Sequence, residues 1–279
     1  MSPLLHLDPD ETRAKLGHEP FTVRHELVDH PLTTLDALAD LADELPVERV
    51  EHNLGNLPEV APGGEVPQAN MTPGEMVRTI ETNGCWVVLP FHGVARYDDL
   101  LNELIAEFRP LLRPDEGAIR YRQGVFFLSA PSSVTPAHVD VEQGFLLQIK
   151  NGKDMKIGNF ADPATGQREI ERMQSGGHRN IESLPPDMRE VHLDPGDGVH
   201  VPAFFPHTVN NGPAVSVSLS VAVRTEATLR ESAVHSANAR LRRLGLRPTR
   251  PGIRPRADRA KAGVLKTASR LTRRENIWS

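Results

Sequence analysis

Between residues 116 and 225 the chain breaks into short segments that are β-branched or alternate apolar with polar: GVFFLSA, HVDVEQGFLLQIK, KDMKIGNF, REVHL, GVHVPAF and AVSVSLSVAV. Pro, Gly and Asn turns separate them. A strand this short cannot bury its apolar face alone, so the series predicts an all-β sandwich or barrel. Asn151-Gly152, between LLQIK and KDMKI, predicts a hairpin.

The flanks carry another period. TTLDALADLADEL (33–45) sets Leu35, Leu38, Leu41 and Leu45 on one helical face, with Thr33 or Thr34 as its cap. Residues 55–73 are rich in Pro, Gly and Asn and read as loop. Thr72-Pro73 with Glu75 opens a helix running to Asn83-Gly84, and CWVVLPF (85–91) follows as a buried strand. YDDLLNELIAEFRPLL (97–112) is an amphipathic helix closed by Pro110 or Pro114. TEATLRESAVHSANARLRRLG (225–245) is a further helix, followed by a Pro/Arg-rich connector and a short basic helix. Three regions result: 1–115, mixed and helical with a first core strand near 84–91; 116–225, the β core; and 226–279, a basic helical region.

At 279 residues the chain suffices for one substantial core. Nothing approaches the roughly 18–20 unbroken apolar residues of a membrane helix. The N-terminus carries an acidic patch where a secretory signal has a basic start and an apolar run. Cys85 is the single cysteine, which excludes an internal disulfide and predicts a reducing, cytoplasmic setting with Cys85 as an inert core thiol. Charge is uneven. From Arg224 onward there are 15 Lys/Arg against 4 Asp/Glu, which leaves 17 against 33 in the first 223 residues. Such a tail either packs on the acidic body or a partner subunit, or meets an anionic partner. No zinc-finger, RNA-binding or helix-turn-helix pattern accompanies it, which argues against nucleic acid.

Chemistry concentrates in two stretches. In VTPAHVDVEQGFLLQIKNGK (134–153), His138 and Asp140 are two residues apart; in a strand they share a face and aim an imidazole and a carboxylate at one point. That spacing is common by chance. In HLDPGDGVHVPAFFPHTVNNG (192–212), Gly196, Pro202, His207 and Asn211 match the second motif of the cupin barrels, with Phe204 in place of its second glycine.

Together these stretches resemble the Jumonji-C, cupin-like branch of the iron(II)- and 2-oxoglutarate-dependent oxygenases, most strongly from Gly124 to Thr225. TPAHVDVEQGFLLQIKNGK is similar to the matching segment of the asparaginyl hydroxylase acting on hypoxia-inducible factor. The resemblance implies a mainly β fold with flanking helices around a double-stranded β-helix (jelly-roll) core. It implies His138, Asp140 and His207 as a facial triad for Fe(II), leaving positions open for 2-oxoglutarate and O2. Lys153 and Thr135 fall where the family holds the distal carboxylate of 2-oxoglutarate, with Arg224 as the alternative cation. Gly144 replaces a polar amide, and Ser220 a late-strand asparagine, both near the co-substrate. The implied reaction decarboxylates 2-oxoglutarate to succinate and hydroxylates a protein, peptide or small-molecule substrate. Helices after residue 225 become a candidate homodimer element.

Other residues have plainer readings. His192 and His200 are strand histidines meeting solvent or a carbonyl, with a lumen position as the alternative for His200. Glu142 is solvated; Tyr121, Phe126 and Trp86 are core; the N-terminal histidines show no metal spacing. Two other functions compete: a metal-dependent cupin enzyme that ignores 2-oxoglutarate, and a non-enzymatic binding module whose basic tail contacts nucleic acid.

Overall fold

Alternation decides the main sheet. In β12 (Ser216–Thr225) Val217, Leu219, Val221 and Val223 are buried on one face, while Ser220, Ala222 and Arg224 lie on the other. A computed structural model describes residues 2–54, 57–61 and 70–272, with side chains through residue 263. In chain order the elements are β1 (Leu5–His6), α1 (Pro9–Lys15), β2 (Thr22–His25), α2 (Leu35–Glu44), β3 (Glu51–Leu54), α3 (Pro73–Arg78), β4 (Cys85–Pro90) and α4 (Ala95–Phe108). There follow β5 (Ile119–Ser129), β6 (Val134–His138), β7 (Gln143–Lys150), β8 (Lys153–Ile157), α5 (Pro163–Met173), β9 (Arg189–Leu193), β10 (Asp197–Val201), β11 (His207–Asn211), β12, α6 (Glu226–Arg243) and α7 (Pro255–Thr272).

The strands form two sheets, one of eight strands in the order β1-β2-β10-β7-β12-β5-β4-β3, the other of four, β6-β11-β8-β9. All pairings are antiparallel. The sheets meet through Met155, Ile157, Val191, Leu193 and Val209 of the small sheet and Val199, Leu146 and Val201 of the large one. The result is a jelly-roll, mainly β, with flanking helices. The outer face of the large sheet carries the principal core: Phe126, Phe145, Leu147, Leu219 and Val221 sit under Leu101, Leu104 and Phe108 of α4 and Leu38 and Leu41 of α2. The thiol of Cys85 lies in this core, its pKa raised by burial.

Helix starts follow their signals. Thr34 accepts from the Ala37 N–H, and Thr72 with Glu75 forms a capping box. α3 stops at Arg78, short of Asn83-Gly84, because the Asn83 side chain turns back onto the Met76 carbonyl. Three findings depart from the sequence reading. First, the N-terminal region supplies strands to both edges of the large sheet, β1 and β2 at one and β3 at the other. Second, HVDVEQGFLLQIK is split between β6 and β7, which lie in different sheets. Third, Asn151-Gly152 closes no hairpin. It carries the chain from β7 of the large sheet to β8 of the small one. The local signal holds, since Asn151 is left-handed (φ 54°) and its amide donates to the Val215 carbonyl at 2.6 Å, but the turn is a corner between sheets. The loop expected over 55–73 falls partly on residues 55–56 and 62–69, outside the described residues.

Candidate metal centre and the buried lysine beside it

His138 ends β6 and His207 begins β11, and the two are direct register partners. Their rings lie 4.1 Å apart between centroids. Asp140 is not in a strand; it lies two residues beyond the end of β6. Its place is fixed by the chain around it. The Val139 N–H donates to the Arg179 carbonyl at 3.2 Å, and the Asp140 carbonyl accepts from the Phe204 N–H at 2.7 Å. Phe204 makes that bond in a left-handed conformation (φ 63°). This is the position where the cupin motif has glycine, and the phenylalanine holds it with its ring buried 5.5 Å from His235 of α6.

The ligand atoms converge. Asp140 Oδ2 is 3.6 Å from His138 Nε2 and 3.5 Å from His207 Nε2, and the donor atoms of the three residues lie within 4.8 Å of one another. Each imidazole has its tautomer set from behind. His138 Nδ1–H donates to the Pro136 carbonyl at 2.8 Å, and His207 Nδ1–H to the Phe205 carbonyl at 2.9 Å, so both Nε2 lone pairs face the carboxylate. Burial, helped by neighbouring His207, pushes the His138 pKa down to about 4. Burial pushes the Asp140 carboxyl upward, but His138, His207 and Arg179 outweigh it and hold the pKa well below the usual carboxylate range. At neutral pH His138 is therefore a neutral imidazole and Asp140 a carboxylate, the protonation state a metal requires of them. Two imidazole nitrogens and one carboxylate oxygen, clustered in this way, suit Fe(II).

Lys153 begins β8 opposite Asn211, on the face that carries His207. It is 3% exposed, and its side-chain amine has no hydrogen bond or ion pair among the described residues. Burial alone pushes its pKa down to about 7. Thr135 shares this face through a register shift between His207 and Val209, which brings it and His138, three residues apart, to the same side. The Thr135 hydroxyl also has no partner among the described residues. A buried amine and a free hydroxyl without an acceptor fit an anionic group. The Asn211 amide donates to Ser133, and its Oδ1 is buried without a partner.

The remaining candidates separate. Arg224 is neutralised: Nε reaches Glu142 Oε1 at 2.7 Å, and the guanidinium lies 5.4 Å over the Tyr121 ring. Glu142 is not solvated but mostly buried, its pKa raised by desolvation. Tyr121 is not core; it is 38% exposed, whereas Phe126 is fully buried and Trp86 lies 6.0 Å from the Phe127 ring in a small cluster. Ser220 faces between the sheets beside Leu146 and Val125. Gly144 admits no side chain, since a Cβ there would lie 2.1 Å from the Val221 carbonyl oxygen. His200 faces the outer core, not the lumen. Its Nδ1–H donates to the Gly144 carbonyl and its Nε2 accepts from the Gly17 N–H, with burial pushing its pKa down to about 3. His192 is exposed and paired with Asp154. The sequence reading missed Arg179, whose NH1 is 3.4 Å from Asp140 Oδ1. It sits in the long insert between β8 and β9, where no local pattern marks it.

The C-terminal helices lie against their own chain: Arg242 of α6 pairs with Glu171 of α5 at 2.7 Å. No helix among the described residues is long and apolar enough to cross a membrane.

Fold and site point to one class: the family model of the JmjC domain matches residues 104–230. Solved structures agree on the architecture. YcfD from Escherichia coli matches with a TM-score of 0.54 at 19% identity, over 99% of this chain and 70% of that one. A structure of YcfD described as a ribosomal oxygenase in complex with cobalt and 2-oxoglutarate matches with a TM-score of 0.53 at 19% identity, over 98% and 69%. No curated protein sequence matches.

Proposed function

We propose that the protein is an Fe(II)- and 2-oxoglutarate-dependent oxygenase that hydroxylates a protein side chain. The observation that carries the reading is Lys153, a buried amine with no anion beside it among the described residues, on the same inner face as a His/Asp/His donor set. His138, Asp140 and His207 would hold the iron, and Lys153 with Thr135 would take the distal carboxylate of 2-oxoglutarate. Bound there, iron, 2-oxoglutarate and O2 supply the oxidising chemistry, one oxygen atom going to succinate as CO2 leaves and the other to the substrate C–H.

The chain's own part is orientation. The carbonyls of Pro136 and Phe205 keep the Nδ1 protons in place, so each Nε2 donates its lone pair without first losing a proton. Arg179 engages Oδ1 of Asp140 and leaves Oδ2 toward the histidines. Lys153 takes up a proton as the dicarboxylate enters, since its pKa rises when an anion sits beside it. Apolar residues of both sheets exclude water from the lumen. A protein substrate is supported by the similarity of the segment around His138 to an asparaginyl hydroxylase, and by the ribosomal oxygenase description of YcfD.

The test begins anaerobically with the full chain. Fe(II) and 2-oxoglutarate together should give a weak visible charge-transfer band that Asp140→Ala abolishes. In air, lysate proteins one oxygen atom heavier should accumulate only when 2-oxoglutarate is present. Metal binding that is indifferent to 2-oxoglutarate and to Lys153→Ala would instead make this a cupin enzyme of another class.

A further inference from the structure

The N-terminal half of β5 is an open sheet edge. β4 pairs with β5 only from Val125 to Ser129, so residues 119–123 have β12 on one side and, among the described residues, no strand on the other. The direction of their backbone groups follows from one bond. The Phe91 N–H donates to the Gly124 carbonyl, so Gly124 points its backbone toward the β4 side. By the two-residue period, Arg122 presents its own N–H and carbonyl to that same vacant side.

The side chains around this edge are cationic. Arg109, Arg113, Arg120 and Arg122 line a cavity of about 660 Å³ between the end of α4 and the start of β5. Asp115 engages Arg113, and Glu226 engages Arg120. Arg122 meets only the neutral amide of Asn102, and Arg109 has no side-chain partner among the described residues. Two positive charges are therefore left over, on a body whose first 223 residues are acidic. Tyr121, which lines the same cavity, lies under Arg224, whose partner Glu142 is two residues from Asp140.

We infer that this edge is a docking site for an extended, acidic peptide segment. Such a segment uses both the donor and the acceptor of the free edge, while its carboxylates meet Arg109 and Arg122. A second copy of the chain is disfavoured, because the edge would bring its own arginines face to face. Nucleic acid would satisfy the guanidiniums but leave the edge carbonyls facing phosphate. The site is independent of the oxygenase reading, since its test reads binding alone.

The probe is a fluorescein-labelled decapeptide of alternating Glu and Val, with a Lys/Val decapeptide and oligouridylate as comparisons, each titrated against the full chain. The acidic peptide should bind best. Arg109→Glu should weaken it at least about tenfold. The decisive pair is Arg122→Ala and Arg122→Pro. Both remove the guanidinium, but only proline removes the N–H on the free side, where the β12 ladder does not need it. Circular dichroism and melting confirm that each variant is folded. Proline should weaken the peptide at least about fivefold beyond alanine and leave oligouridylate unchanged relative to alanine. Equal loss in the two variants, or oligouridylate binding tighter than the acidic peptide, overturns the proposal.

Discussion

The two sheets of the jelly-roll are built alike and used differently. The eight-stranded sheet buries its outer face under α2 and α4, and this face holds most of the large buried side chains. The four-stranded sheet contributes fewer apolar residues, yet His138, His207, Thr135 and Lys153 all belong to it. Stability and chemistry are thus separated by layer. Groups on the small sheet can remain unsatisfied because the large sheet and its helices supply the burial that keeps the barrel closed.

That contrast is open to attack from both sides. The largest effect is expected from Asp140→Ala on the small-sheet side: turnover of 2-oxoglutarate should fall at least about a thousandfold while the melting temperature holds, by succinate assay and thermal denaturation. Phe126→Ala, in the large-sheet core, should do the reverse. It should cost about 3–4 kcal/mol of stability in urea and leave activity per folded molecule near that of the parent. If both properties fell together in either variant, the separation would be wrong.

Lys153→Met comes next. It should weaken 2-oxoglutarate about a hundredfold in calorimetry, retain iron, and raise the melting temperature, since it removes a buried amine without a partner. The pH dependence follows from the same residue. Its folded pKa of about 7 lies below the ordinary lysine value of 10.5. Between those values the unfolded chain binds the extra proton, so the contribution to stability improves as pH rises through the window. Binding of 2-oxoglutarate runs the other way. It should hold below pH 7 and weaken toward about tenfold per pH unit above it, with proton uptake seen as a buffer-dependent heat. Smallest should be Thr135→Val, a loss of about 1 kcal/mol in the same titration.

The sequence made part of this readable, for reasons that differ by residue. β9, β12 and the core of β5 alternate strongly enough to be marked as strands. β1, β2 and β3 are two to four residues long and owe their existence to the strands they join, so periodicity passes over them. β11 reads HTVNN, too polar to suggest a strand, because two of its three inward positions are His207 and Asn211. The donor set was legible through motif resemblance, whereas the Asp140 geometry depends on Arg179 and Phe204, contacts that no spacing encodes. The Arg224–Glu142 pair spans 82 residues and turned an expected solvated carboxylate into a buried one. At Asn151-Gly152 local chemistry foretold the turn but not which strands it would join.

That corner turn also makes β8 a ruler. His207 stands opposite Ile157 and Lys153 four residues back along the strand, and only every second position faces the lumen. Moving the cation by one residue turns it out of the pocket, and moving it by two shifts it about 7 Å, several times the length of a methylene. On the proposed reading of Lys153 as the anchor of a dicarboxylate, selection for the acid's length therefore cannot be graded by sliding that anchor. It changes only through the reach of the side chain at position 153, so a shorter or longer acid calls for a different residue there and leaves the barrel as it is.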